Sequence, residues 1–315
     1  TPSVPCLILT AYRVWCLWLC SKNSWPQLPS LGVLDVCLIG CDFSSSPNKR
    51  KPIVVALGAM QHGVVKLERL EKFESLDAFQ VFLKQPLSSE VKCVGGFDLP
   101  FGLPREWVEY MQWPLTWPEC MTLYASYSRE ELRQFFKQFC DSRPAGGKFA
   151  HRATDVPAGS SPSMKWVNPP VAWMMHAGVP LLRAAQWTLP GMCEGRADRV
   201  ALEAYPGLLA REIVKHRSYK SDDKAKQTPD RWLARKDILH ALDLGQTRLG
   251  LRLKLSAAQH DKLLIDGTGD SLDAVLCMVQ AAWALQQQKL GTASGPYGLP
   301  EFDPLEGWIV SALKA

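Results

Sequence analysis

The stretch Val36-Cys37-Leu38-Ile39-Gly40-Cys41-Asp42-Phe43-Ser44-Ser45-Ser46 restricts the folds open to this chain more than any other. An apolar run climbs into a single acid and is then cut off by small hydroxylated residues. A run of that length bounded by turn formers reads as a buried strand. A carboxylate at its end is held at a sheet edge by rigid backbone, where a metal ion or a phosphate can be met. Asp and Ser also begin turns for purely local reasons. Asp42 therefore gains meaning only if other acids converge on it.

Downstream, the pattern builds a sheet. Pro52–Met60 contains Ile-Val-Val-Ala-Leu, apolar and β-branched, and gives a second strand; Gln61-His62-Gly63 is a tight connection, and Val64–Leu70 alternates as a third. Ser75 stands as an N-cap for a helix over Leu76–Gln85. Val91-Lys92-Cys93-Val94-Gly95-Gly96-Phe97-Asp98 then repeats the opening pattern, an apolar run ending in Asp, before Leu99-Pro100-Phe101-Gly102-Leu103-Pro104. The order strand–strand–strand–helix–strand, with acids ending the first and fourth strands, matches the ribonuclease H-like fold. There the two acid-bearing strands lie side by side, so Asp42 and Asp98 would reach one cation.

Residues 105–197 interrupt this order. Ser128-x-x-Glu131 is a capping box opening a helix to Phe139. Around it lie long loops rich in Trp, Pro and Gly, notably Pro144–Pro170, and loops of that length in a compact protein are often functional. This one carries Arg152 and Lys165, read as phosphate contacts on an insertion covering the site. Arg199–Pro206 is the expected fifth strand, with Glu203 as a carboxylate in apolar surroundings that wants a partner or a metal. Helices are expected over Leu208–Lys215, Asp230–Leu242 and Ser256–Ile265. Between the first two runs a basic loop, His216–Lys226, whose Lys220 beside Tyr219 suits a nucleic-acid backbone. The last strong pattern, Asp270-Ser271-Leu272-Asp273-Ala274 and onward to Ala284, is an amphipathic helix with apolar residues at 272, 275, 276, 279 and 283. Asp270 and Asp273, three apart, share one face of its first turn. The helix dipole accounts for Asp270 more readily than for Asp273, which packing residues follow at once.

With 315 residues, 47% apolar and 21% charged, the chain has the composition of an ordinary globular protein able to bury a large core. A net charge of +5 permits an anionic partner without demanding one. The ten Cys form no CxxC pair and no Cys/His cluster of zinc spacing, which points to a reducing, cytoplasmic setting. No stretch reaches the ~20 apolar residues of a spanning helix, so no membrane partner is expected. Residues 1–34 form an extra segment, apolar from Leu7 to Cys20, that fits neither a secretory signal nor the strand pattern and is expected to pack poorly. The domain itself spans 35–290, and 291–315 reads as a carboxy-terminal tail.

Four pieces together, Gly40-Cys41-Asp42, Phe97-Asp98-Leu99-Pro100-Phe101-Gly102-Leu103-Pro104, Leu202-Glu203-Ala204-Tyr205-Pro206 and Asp270-Ser271-Leu272-Asp273-Ala274, resemble the bacterial and archaeal domain-of-unknown-function family 429, predicted ribonuclease H-like nucleases. The resemblance covers roughly residues 35–290. It implies an α/β fold: a mixed sheet of three antiparallel and then parallel strands flanked by helices, with a large insertion after the fourth strand. It also implies Asp42 as the central metal ligand, Asp98 as the fourth-strand acid, Asp270 or Asp273 as the helix acid, and Glu203 as a further ligand or an orienting group.

Carboxylates gathered in this way suit Mg2+ or Mn2+. Two such ions would support in-line phosphodiester hydrolysis, with Asp42 bridging them and Asp98 and the helix acid each holding one. Arg152, Lys165 and Lys220 would position phosphates of a nucleic acid, DNA or RNA. Two alternatives stay open: a nucleotide-binding phosphotransferase or ATPase of related strand order, and a non-catalytic ligand-binding module.

Overall fold

The structure is a computed structural model that describes residues 36–85, 92–291 and 295–314. The amino-terminal segment and Val91 lie outside the described residues. The chain forms β1 (Val36–Asp42), β2 (Ile53–Gln61), β3 (Val64–Phe73), α1 (Leu76–Lys84) and β4 (Lys92–Asp98) in turn. α2 (Arg105–Tyr110), α3 (Trp117–Ser126), α4 (Arg129–Asp141), the single turn α5 (Asp155–Ala158) and α6 (Val171–Ala184) follow. The chain continues through β5 (Trp187–Thr188), β6 (Arg196–Glu203), α7 (Pro206–Val214), α8 (Pro229–Leu244), β7 (Arg252–Lys254), α9 (Ala257–Ile265) and α10 (Asp270–Leu290).

The seven strands make one mixed sheet in the order β5-β6-β4-β1-β2-β3-β7. β1, β2 and β3 are an antiparallel meander, while β4 runs parallel to both β1 and β6. Local signals set several boundaries as expected. Ser75 Oγ accepts from Ala78 N at the start of α1, and Ser128 with Glu131 closes a reciprocal cap on α4. Other elements differ from expectation. The two-residue β5 makes the expected fifth strand the sixth, and the three-residue β7 beside β3 is too short to leave an alternating pattern. The region after β4 is more helical than its Pro and Gly content suggested, because α5 and α6 occupy part of it. Residues 305–312, read as part of a tail, are buried: Val310 N donates to Glu203 O at 2.8 Å, and Leu103 N to Leu305 O at 3.2 Å.

Two apolar layers cover the sheet. One face packs against α7, α8, α9 and α10; the other packs against α1 and the aromatic helices of the insertion, where Trp107, Trp117 and Phe136 are fully buried. α10 was expected to be amphipathic, yet it is buried on nearly every side from Asp270 to Leu285. One side lies on the strands, and α7 covers part of the other.

That helix sits deep because of two glycines. Gly40 and Gly96 are register partners on β1 and β4. A Cβ at Gly40 would fall 1.9 Å from Ala274 O, and one at Gly96 would fall 2.4 Å from Cys277 O. Bare backbone at these points lets α10 touch the sheet. Gly40→Ala is therefore expected to cost about 3 kcal/mol or to prevent folding, since the obstacle is backbone and cannot give way. Gly147→Ala, with nothing within 4 Å of its Cβ, is expected to stay within about 0.5 kcal/mol of wild type. Urea unfolding of the two variants checks this.

Candidate active site

Asp42 and Asp98 are also register partners, two residues beyond the glycine pair. Side chains at paired positions of parallel strands project from the same face, and alternation puts both carboxylates on the face that receives α10. The first turn of α10 supplies Asp270, 8% exposed, and Asp273, 0% exposed. The close helix contact at Gly40 and Gly96 thus brings that turn to the ends of both strands. Gly269 opens the helix at φ 80°, and Asp266 steadies the turn by accepting from Thr268 Oγ1 (2.6 Å) and Ser271 N (3.1 Å). The structure brings together the acids expected to converge.

Their electrostatics show a cluster short of positive charge. Burial pushes the Asp42 carboxyl well up, and the charges of Asp273, Asp270 and Asp98 add to the push while Lys220 opposes it. Burial likewise raises Asp98 to about 7, against Lys220 and with Asp273. Asp270 is raised by burial, with Lys51 acting in the opposite direction. The Lys220 ammonium faces the cluster from the loop between α7 and α8. Lys220 Nζ donates to Asp273 Oδ2, and Tyr219 Oη donates to Asp273 Oδ1 at 2.5 Å. Burial by itself would lower the Lys220 pKa, but Asp273, Tyr219, Asp42 and Asp98 hold it well above its ordinary value. The loop is fixed from behind: Arg235 Nη1 donates to Tyr219 O at 2.7 Å, and Ser221 N to Gly267 O at 3.0 Å.

Lys220, expected to meet a phosphate, therefore lies among the acids with its ammonium on Asp273. Arg152 is a clearer departure. It is 1% exposed, and its guanidinium donates to Asp155 (2.9 Å), to both oxygens of Glu203 (2.7 and 2.8 Å) and to Glu306 O (3.0 Å). These bonds hold the insertion to the end of β6, and they leave the guanidinium turned inward rather than toward a phosphate. Glu203 pairs in register with Phe97, one residue before Asp98, so it projects from the opposite face of the sheet. Arg152 and Phe101 N (2.9 Å) engage its carboxylate there. Burial raises its pKa while Arg152 opposes the rise. Glu203 is thus a buried structural acid beside the site rather than a member of the cluster. Lys165 is half-buried in the loop before α6, where its N–H donates to Pro162 O at 2.9 Å.

Tyr219 and the Arg152–Asp155 pair were not singled out as site and anchor by the sequence reading. A signal for the two key strands was present, however: Gly40-Cys41-Asp42 and Gly96-Phe97-Asp98 share a Gly-x-Asp form, in which the Gly admits the helix and the Asp meets its first turn.

A cleft enclosing about 410 Å³, its open mouth included, adjoins Asp98 between the insertion and the end of β6. Among the described residues, no group of three or more His, Cys, Asp or Glu side chains is arranged to hold a metal ion, and no helix is long and apolar enough to cross a membrane. No family model, curated protein or solved structure matches the chain.

Two outcomes follow. In the folded protein Asp98 holds its proton up to about pH 7, whereas in the unfolded chain it loses it near about 4. The native state binds more protons across that window, so this carboxyl removes stability as pH rises from about 4 to 7. Asp98→Asn is expected to melt higher than wild type at pH 8 and to lose part of the decline in Tm between pH 4 and 8. Arg152→Met, which strands two buried carboxylates, is expected to cost about 3–5 kcal/mol, against less than about 0.5 kcal/mol for Lys165→Met. Thermal melts and chemical denaturation measure both.

Proposed function

We propose that the protein is a metal-dependent phosphodiesterase acting on nucleic acid, with a ribonuclease H-like sheet and Asp42, Asp98, Asp270 and Asp273 as its acidic site. One observation carries this reading. Two carboxylates end level on adjacent parallel strands, and the first turn of a buried helix adds two more against the same face. The central strand order β3-β2-β1-β4-β6, antiparallel then parallel, agrees with it. So do the four short motifs that resemble domain-of-unknown-function family 429.

The donor chemistry suits a hard divalent cation, because carboxylate oxygens whose mutual repulsion and burial leave them short of compensating charge face one another, although as the side chains stand they are not gathered into a group that holds one. As the side chains stand, Tyr219 and Lys220 engage both oxygens of Asp273. A cation therefore competes with the Lys220 ammonium. Mg2+ or Mn2+ bound by these acids would polarise a phosphoryl oxygen and make bound water more acidic. The chain's own contribution is to hold Asp42 and Asp98 on rigid strands and to keep Tyr219 as a neutral donor, its pKa raised by burial and by Asp273. Lys220, which donates to Asp273 as the side chains stand, would be a cation of this loop available to a phosphate if a metal ion took its place on Asp273. Lys51, whose Nζ lies 2.6 Å from Asp222 Oδ2 at the rim, is a second cation in reach of Asp42 and Asp270.

Calorimetric titration with Mn2+ tests the site. Asp42→Asn is expected to weaken ion binding at least tenfold and to abolish cleavage in a screen of single-stranded, duplex, hybrid and branched substrates. Lys220→Met is expected to bind Mn2+ more tightly than wild type, because a competing charge is gone. If Asp42→Asn leaves both ion affinity and cleavage unchanged, the reading is wrong. Turnover of ATP with ion binding but without strand cleavage favours a phosphotransferase instead.

A further inference from the structure

The cleft beside Asp98 shares that carboxyl with the acid cluster, but the rest of its lining has a different chemistry. Resting on the phosphodiesterase reading, we propose that the cleft seats one unpaired base next to the phosphate that is cut. The enzyme would then act on single strands or frayed ends and not on intact duplex.

Charge is the first argument. The cleft is lined by Asp98, Glu203 and Arg152, and the Arg152 guanidinium is already engaged by Asp155, Glu203 and Glu306 O. Among the described residues that line it, Arg152 is the one cation and its guanidinium is already taken, so the cleft itself offers no free cation to a phosphate and suits a neutral group. Wall chemistry comes second. Pro169, Val171, Met174 and Ile309 give apolar surface, while Ser160, Ser161 and Tyr205 give hydroxyls. Apolar walls with a few polar groups suit a flat heterocycle with hydrogen-bonding edges. Third, Tyr205 is held in place. Arg211 Nη1 donates to its hydroxyl at 3.1 Å, and the Arg211 guanidinium lies 5.1 Å from its ring centre. Arg211 Nη2 in turn donates to Ala158 O at 2.5 Å, which ties the ring to the insertion. Arg211 covers one face of this ring, and a base would stack on the other. Finally, the cleft is small and open-mouthed, so it takes at most a single flat base, with the sugar left at the mouth, and has no room for a base pair. Asp98 belongs to both the cleft and the acid cluster, so a base seated here leaves its adjoining phosphate at the carboxylates.

The test uses the full chain, a fluorescent single-stranded hexanucleotide and a blunt duplex of the same sequence, with Ca2+ in place of Mn2+ to suppress cleavage. Wild type is expected to bind the single strand at least tenfold more tightly than the duplex. Met174→Trp, which fills the cleft, and Tyr205→Ala, which removes the platform, are each expected to weaken single-strand binding about tenfold or more. Both are expected to keep wild-type Mn2+ affinity in calorimetry, which also reports that the acid cluster is still folded. A readout without any variant is 2-aminopurine at the terminal nucleotide, expected to become shielded from acrylamide on binding wild type. Equal affinity for single strand and duplex, single-strand binding unchanged in Met174→Trp, or a 2-aminopurine that stays fully quenchable overturns the proposal. Failure of the phosphodiesterase reading is distinguishable, since it appears as Mn2+ affinity unaffected by Asp42→Asn whatever the strand-binding result.

Discussion

The contact between the first half of α10 and the bare backbone of Gly40 and Gly96 is the constraint on which the rest depends. Side chains of any size at these two register partners would hold the helix off the sheet. Lifting the helix would expose the apolar residues packed between it and the sheet, among them Leu38 and Val94 on the strands and Ala274 on the helix. It would also withdraw Asp270 and Asp273 from the strand ends. One steric fact thus fixes both the core and the distance at which the acids face one another.

Bringing four carboxylates to one place is unfavourable, and the fold offsets part of the cost. Tyr219 and Lys220 neutralise and hydrogen-bond Asp273, the most deeply buried of the acids. Burial pushes the Asp42 and Asp98 carboxyls upward, and the neighbouring acids add to the push. Charge deficits of this kind are concentrated at functional sites, where a cation or a proton transfer resolves them. On the other face of the sheet Glu203 and Asp155 face the same problem, and there the buried Arg152 guanidinium hydrogen-bonds both carboxylates. The contrast separates an acid pair that shares one buried guanidinium from a cluster whose four acids are opposed chiefly by Lys220 and Lys51.

The insertion turns a sheet edge into a cleft. Its aromatic layer, built on Trp107, Trp117, Tyr124 and Phe136, packs on the face opposite α10. The Arg152 network ties it to β6 and to Glu306 near the carboxy terminus. Residues 305–312 complete the enclosure, which is why a segment without a strong periodic pattern is nonetheless buried.

Much of this was legible along the chain. Apolar runs ending in Asp42 and Asp98, the meander between them, the Ser75 and Ser128 caps and the acidic start of α10 each depend on residues close in sequence, so local pattern determined them. That β1 and β4 would lie parallel followed from strand order. What the sequence did not settle was where the long polar side chains would go. Glu203 follows an apolar run just as Asp98 does, but a one-residue offset in register turns it to the opposite face. Arg152 and Lys220 look alike as exposed cations in loops. Only the tertiary structure sets one against Glu203 and Asp155 and the other against Asp273, because a buried charge is placed by the nearest opposite charge in space, which for Lys220 lies 53 residues along the chain.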